Sequence, residues 1–244
     1  MKYTLFALLL CYQASAFSMA HKVNLDKAID HAVARYGLRT EPHLMKLFKQ
    51  ANIQYPPKEI ALLAFKKERH IQLWARDNHN SWQYIHTYPL TAFSGRLGPK
   101  LKERDGQIPE GVYRLTSFNP FSSMHLSMMI DYPNYFDRIQ ASRDGRNHKQ
   151  LGGDIFLHGK AQSVGCLAVG DRAIDQLFLL VRRVGLGHTQ VIIAPNDLRK
   201  EKPATTLFAQ PRWLPELYQE IVSALKPFKI DQKRSPIERP LKTT

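Results

Sequence analysis

A chain of 244 residues with 43% hydrophobic and 10% aromatic content suits one full-sized globular domain with additions and is short for two. Fifteen prolines against thirteen glycines argue for a turn-rich, β-containing body and against a helical bundle. Thirty-five Lys and Arg against twenty-one Asp and Glu leave a formal charge of +14, which draws polyanions without choosing among nucleic acid, wall polymer and membrane surface, and which a merely well-solvated surface also shows.

At the amino terminus Lys2 precedes the apolar run Tyr3–Leu10 and the small-residue pattern Ala14-Ser15-Ala16. These form the n-region, h-region and cleavage motif of a secretory signal, so residues 1–20 are expected to be a signal peptide cut after Ala16 or Ala20. The run is too short for a permanent span, and no other segment has the apolar length of a transmembrane helix. Leu10 ahead of Cys11 is not the small residue that a lipid-attachment site would place there. The expected product is periplasmic or secreted and keeps one cysteine, Cys166, with no internal partner for a disulfide.

Leu25, Ala28, Ile29, Ala32, Val33 and Tyr36 share one face and predict a helix over Leu25–Tyr36. Leu44, Leu47 and Phe48 predict a second over Pro42–Ala51, stopped by Pro56-Pro57. The pair reads as an N-terminal helical extension, residues 21–57. Strands follow at Ile60–Lys66, Ile71–Ala75 and Trp82–Tyr88, a meander with a turn at Asp77–Asn80. A loop rich in Gly and charge covers Ser94–Gln107; strands are predicted at Val112–Thr116 and Leu126–Asp131, the latter broken by Pro133-Asn134. The polar, basic stretch Asp137–Gly153 reads as a surface loop and Asp154–His158 as a short strand. Asp171 is expected to N-cap a helix to Arg183, with Ala173, Ile174, Leu177, Phe178 and Val181 inward. Val191–Ala194 closes the sheet, Pro215–Leu225 is a last helix, and the basic tail beyond Pro227 is expected to be disordered.

The chemistry concentrates at one place. His158 ends a predicted strand and Cys166 follows eight residues later, upstream of a helix, across the small-residue stretch Gly159-Lys-Ala-Gln-Ser163-Val-Gly165. A thiol becomes a nucleophile when a base within hydrogen-bond reach takes its proton, and a nearby helix N-terminus would lower its pKa further. Gly165 beside the thiol lets backbone N–H groups face a developing oxyanion, and Ser163 can bond the loop or touch substrate. His125 and Tyr132 are candidate cleft residues weighed against plain structural roles. The ten histidines show no ligand spacing, so no metal is expected, and no other cofactor is expected either.

Asp154-Ile-Phe-Leu-His158-Gly159 followed by Ser163-Val-Gly165-Cys166 resembles the catalytic signature of the L,D-transpeptidase (YkuD) domain family. Leu73-Trp74, Tyr88-Pro-Leu, Ser94-Gly95, Gly98-Pro99-Lys100, the run from Asp105 through Pro109-Glu110-Gly111 to Tyr113, Leu126-Ser127 and Asp131-Tyr132-Pro133-Asn134 are also similar to it, especially to its short-loop murein branch. The resemblance covers about Ile60 to Ala194. It implies an α+β, β-rich fold built on a mixed sheet, with a catalytic domain at residues 58–195; the last helix and the basic tail read above then make up residues 196–244. It also implies that Cys166 attacks a peptide bond of the peptidoglycan (murein) stem, that His158 is general base and acid, and that the backbone at Gly165 and Cys166 with Ser163 and Gly159 forms the oxyanion and substrate site. Stem peptide and a wall-anchored protein are the acceptor candidates beside water.

Three departures from the family pattern leave transpeptidase, endopeptidase and amidase all open. Val164 stands where many members have His, Ala168 where many have Arg, and the spacing from His158 to Cys166 is shorter than in the main branch. The group that orients His158 is expected to be a backbone carbonyl. The competing reading is a catalytically inactive wall-binding module that uses the basic surface. A nucleic-acid binder rests on charge alone, without an interleaved aromatic-basic motif.

Overall fold

The computed structural model describes residues 2–78, 81–204 and 210–229, with side chains from Val23 onward. Its elements run α1 (Lys2–Gln50), β1 (Glu59–Phe65), β2 (His70–Arg76), β3 (Gln83–Pro89), β4 (Gly111–Asn119), β5 (Ser127–Ile130), α2 (Tyr135–Arg143), β6 (Phe156–His158), β7 (Leu167–Ala168), α3 (Asp171–Val184), β8 (Thr189–Ala194) and α4 (Leu214–Leu225). The strands form one mixed sheet in the order β3-β2-β1-β8-β4-β5-β6-β7. The pairs β1–β8 and β6–β7 are parallel, and the other neighbours are antiparallel.

Strand alternation explains why β1 reads as an unbroken apolar run. Successive side chains point to opposite faces, and both faces of this strand are covered. Ile60, Leu62 and Ala64 join the core under α1 and α3, while Ala61, Leu63 and Phe65 join the core under α4. β8 divides the same way, with Val191 and Ile193 on the first face and Ile192 and Ala194 on the second. β4 passes from one half of the sheet to the other. Gly111–Arg114 pairs with β8, Leu115–Asn119 with β5, and an irregularity between Leu115 and Ser117 marks the change, as a bulge bends a strand.

The two helices expected before the sheet are one. α1 runs on to Gln50 with Pro42 inside it. Proline removes one i→i−4 bond, and here the carbonyl left over belongs to Leu38, whose side chain is 89% exposed. The loss falls on the face that water serves. The opposite face buries Ile29, Ala32, Leu44 and Phe48. α1 is tied to α3 by Arg182 to Asp30 (2.8 Å), Arg183 to Glu41 (3.0 Å) and Arg39 to Asp175 (2.6 Å).

Three further expectations are corrected. The loop expected over Asp137–Gly153 contains α2 from its start and a 3-10 turn at His148–Gln150. Asn134 and Asp137 make reciprocal capping bonds that begin α2, and only Gln140 and Ala141 of that helix are buried, which hid it as a polar segment. Asp171 is not the cap of α3: Gly170 is, and Asp171 is the first helical residue. The tail does not loosen directly after Pro227, because Phe228 is buried against Trp74 (5.6 Å between centroids) and Trp82 (4.9 Å). The tail from residue 230, the end of the Asp77–Asn80 turn and the side chains of the expected signal lie outside the described residues. Among those described, no helix is long and apolar enough to cross a membrane.

One buried ion pair joins the sheet to the loop before β4. The Lys66 side chain is fully buried; its Nζ donates to the carbonyls of Gly98 (2.7 Å) and Ile108 (2.8 Å) and lies 2.9 Å from Glu110 Oε1. Glu110 also accepts from Gly98 N (2.6 Å) and the Tyr218 hydroxyl on α4 (3.1 Å). Burial holds the Lys66 pKa below its ordinary value, opposed by the charges of Glu110 and Asp105. Removing one partner leaves an uncompensated charge in the core. Lys66→Met or Glu110→Leu alone is expected to cost about 3–5 kcal/mol, and the double variant less than the sum of the two. Urea unfolding of the three variants measures this.

Candidate active site

His158 closes β6, and Cys166 immediately precedes β7. The parallel register Leu157↔Leu167 and His158↔Ala168 sets Phe156 opposite Cys166. Since alternate residues share a face, Cys166 and His158 lie on the same face of the two-strand ribbon, one diagonal step apart. Phe156 N donates to the sulfur at 3.4 Å, and the thiol faces the Asp154 carbonyl at 3.7 Å. Asp154 has φ +54°, which is why the predicted strand Asp154–His158 begins only at Phe156.

The imidazole of His158 is buried, at 4% exposure. Its Nδ1 lies 2.6 Å from the carbonyl oxygen of Gly159, the kind of backbone partner expected for it. A carbonyl can only accept, so Nδ1 carries the proton and Nε2 keeps its lone pair. Burial pushes the His158 pKa down, and the bond to Gly159 pulls it partly back. Gly159 has no room for a side chain, since a Cβ would stand 2.7 Å from Asp171 Oδ1 and 2.8 Å from the Met124 carbonyl.

The resting thiol is not ionised in the way the sequence suggested. Burial pushes the Cys166 pKa above its ordinary value; the Phe156 N–H lowers it, the Asp154 charge raises it and Lys100 lowers it. The helix expected to help begins at Asp171, beyond β7. Both shifts, up for the thiol and down for the imidazole, favour the neutral forms.

The bend around Cys166 is fixed by hydroxyls. Gly165, at φ +90°, donates its N–H to Ser94 Oγ at 2.7 Å. Ser163 Oγ donates to the Cys166 carbonyl at 2.7 Å and lies 3.2 Å from Ser94 Oγ. Ser163 thus holds the loop, the first of its two expected roles. Gly165 N–H is occupied by Ser94 in this state. Ser94 stood out in the sequence only as part of Ser94-Gly95, and nothing local revealed that it reaches position 165. A Cβ on Gly165 would approach the Gln107 carbonyl to 3.0 Å, so the 94–107 loop forms the wall against which the bend is pressed.

His125 and Tyr132 are packing residues. His125 Nε2 meets Asp175 Oδ1 at 2.7 Å, and its ring stands edge-on to Tyr36 at 4.9 Å. Tyr132 is 3% exposed, with its hydroxyl 3.4 Å from the carbonyls of Lys100 and Leu151. Among the described residues, no group of three or more His, Cys, Asp or Glu could hold a metal ion.

A family model of the L,D-transpeptidase catalytic domain (YkuD) matches residues 60–193. Two curated relatives, YafK of Escherichia coli K12 and of strain O157:H7, whose names give them as candidate L,D-transpeptidases, are each 30% identical over 138 residues. The match covers 56% of this chain and 51% of each of those, so the chain spans about half the length of the curated relatives it matches. Among solved structures, Bd1075 of Bdellovibrio bacteriovorus is 26% identical over 59% of this chain and 50% of its own, with a TM-score of 0.41. The helical cell shape determining protein Pgp2 of Campylobacter jejuni is 18% identical over 62% and 51%, with a TM-score of 0.46.

Alkylation of Cys166 by iodoacetamide is expected to be slower at pH 7 than for an unperturbed thiol and to rise about tenfold per pH unit to above pH 9. His158→Ala should leave that slope unchanged, because the resting imidazole carries no charge; mass spectrometry of timed samples reads both. Gly165→Ala is expected to destabilise the fold by about 1–2 kcal/mol through its left-handed backbone, measured by denaturant unfolding.

Proposed function

The chain belongs to the L,D-transpeptidase catalytic-domain family, and from that premise we propose that it is an exported cysteine enzyme of cell-wall remodelling that acts on peptidoglycan stem peptides through an acyl-enzyme on Cys166. The observation that carries the reading is the β6–β7 register, which sets Cys166 and His158 on one face of adjacent strands, together with the Gly159 carbonyl that spends Nδ1 and leaves Nε2 to act.

The chemistry runs as follows in this proposal. His158 Nε2 takes the thiol proton as sulfur bonds to the carbonyl carbon of a stem-peptide bond. Charge develops on the carbonyl oxygen, and backbone N–H groups at the Gly165–Cys166 bend receive it; that of Gly165 becomes available when it leaves Ser94. The tetrahedral intermediate collapses by breaking its C–N bond, and the departing amine takes the proton from the His158 imidazolium. The thioester left on Cys166 passes to an incoming amine, forming a new amide, or to water, forming a carboxylate. In each case His158 removes the proton of the incoming nucleophile and returns it to the thiol. Starting from a neutral pair suits this scheme, because proton transfer is needed only when substrate is in place. The amine acceptor is a second stem or a wall-anchored protein, and the site of action is the periplasm or the cell exterior.

Full-length protein incubated with purified sacculi, followed by mass analysis of the muropeptides, is expected to yield new cross-links or shortened stems. Cys166→Ala should abolish the change, and His158→Gln should lower it by about a hundredfold or more. A carbapenem-type acylating agent is expected to add its mass to Cys166 in the folded protein. Unchanged sacculi together with no adduct on Cys166 would overturn the proposal in favour of a non-catalytic wall-binding module.

A further inference from the structure

Beyond β3 the chain runs back along the outer edge of β7, where Ala92 bridges Ala168 in antiparallel sense and Thr91 N donates to the Ala168 carbonyl at 2.8 Å. Two residues further in that register, Ser94 would stand opposite Cys166. Alternate residues of a strand turn their backbone groups to the same side, so Cys166, two before Ala168, faces this edge as well. The ladder does not continue to meet it. The Cys166 carbonyl takes the Ser163 hydroxyl at 2.7 Å instead, and among the described residues no acceptor meets the Cys166 N–H. A gap is left beside the nucleophile, and the Ser94 side chain bounds it by accepting the Gly165 N–H at 2.7 Å.

Proton counting fixes the direction of each bond around that gap. A carbonyl only accepts, so the single Ser163 hydroxyl proton goes to the Cys166 oxygen. In the 3.2 Å contact between the two hydroxyls, Ser163 therefore accepts and Ser94 donates. The relay runs one way, from Gly165 N–H through Ser94 and Ser163 to the Cys166 carbonyl, and it fastens the peptide before the nucleophile to the peptide after it. Gly165, at φ +90°, needs such fastening, because a glycine peptide turns over at little steric cost. Ser94 is itself held in place by its neighbours. A Cβ on Gly95 would stand 2.9 Å from Gln107 Cα, and Arg96 N donates to the Gln107 side chain, so this end of the loop grips the residue whose carbonyl presses on Gly165.

A neutral hydroxyl is a weaker acceptor than an oxyanion. As charge develops on a carbonyl oxygen beside Cys166, the Gly165 N–H gains by exchanging Ser94 Oγ for it. Ser94 keeps its own donation to Ser163, so the exchange strands no donor. The Gly165 bond is neutral at rest and charge-assisted only in the transition state, and interactions of that kind accelerate chemistry.

We propose that Ser94 is a positioning residue for acyl transfer: at rest its oxygen holds the place that the substrate carbonyl oxygen takes, and so keeps the Gly165 N–H aimed beside that of Cys166. The inference rests on the reading that Cys166 forms an acyl-enzyme, and it deepens that reading by assigning the shape of the oxyanion site to a side chain 71 positions from Gly165.

Two reactions of the same sulfur separate this role from a merely structural one. Displacement of iodide from iodoacetamide places no charge on a carbonyl oxygen, whereas attack on a carbapenem-type agent does. Both are read by mass at the Cys166 peptide of the full chain, the second over a range of agent concentrations. Removing one oxyanion donor typically slows a reaction about 10²–10³-fold, so loosening one in Ser94→Ala is expected to lower the saturating acylation rate about ten- to hundredfold. The half-saturating concentration and the alkylation rate should each stay within about twofold of wild type. Ser94→Thr, which keeps the hydroxyl, should recover most of the acylation rate. The variant carrying both Ser94→Ala and Ser163→Ala should lose less than the product of the two single losses, since one relay carries both.

Acylation of Ser94→Ala at the wild-type rate overturns the proposal. So does a fall in alkylation that matches the fall in acylation, or a Ser94→Thr protein no faster than Ser94→Ala. If urea unfolding shows that Ser94→Ala does not fold, Ser163→Ala, which breaks the relay from its other end, must show the same split between the two reactions, and its absence overturns the proposal. Wild-type protein that is alkylated but never acylated removes the catalytic reading and this role with it; acylation indifferent to Ser94 removes the role alone.

Discussion

The Lys66 ammonium, sealed from water at the end of β1, has to replace its hydration with protein oxygens, and the oxygens it finds come from the loop that walls the candidate site. The carbonyls of Gly98 and Ile108 and the Glu110 carboxylate converge on it, and Tyr218 of α4 holds the second Glu110 oxygen. This draws the ends of the 98–110 segment onto the sheet. Within it, Lys100 and the backbone N–H groups of Leu101, Lys102 and Gln107 close on Asp105. The Gln107 carbonyl is thereby set against Gly165. A charge buried on one side of the sheet thus decides where the bend around Cys166 can lie.

How far such relations can be read in advance depends on their range. β1, β2 and β8 were legible because both faces of central strands are covered, which leaves continuous apolar runs, and α3 because nine consecutive residues from Ala173 to Val181 are buried. The order His158, Ser163, Gly165, Cys166 was legible because the loop that joins them is local. Other features were set by neighbours far along the chain. Phe228 looked like part of a charged tail because its partners Trp74 and Trp82 lie some 150 residues earlier. Ser94 reaches Gly165 across 71 positions. Pro42 reads as a helix start until the exposure of Leu38 shows why a helix tolerates it there. The thiol's raised pKa is a property of burial, which no local pattern records.

The departures from the family pattern also acquire physical reasons. Ala168 is fully buried; it bridges Ala92, and its carbonyl accepts Thr91 N. A guanidinium at that position would have neither space nor solvent. Val164 stands at the opposite extreme, 80% exposed at the tip of the bend, and an imidazole there would have no enclosing wall to hold its orientation. The chemistry proposed for the site therefore draws on one imidazole.

Keeping the Cys166 proton in place has a consequence beyond catalysis. Peroxide and other two-electron oxidants react with thiolates far faster than with thiols, so a sulfur whose ionisation is opposed by burial is passivated while the cleft stands idle. From Val23 onward the sequence offers it no second cysteine for a rescuing disulfide, which would make an adventitious sulfenic acid hard to reverse there. The same desolvation that raises the pKa of the thiol thus acts as chemical shelf life for the protein.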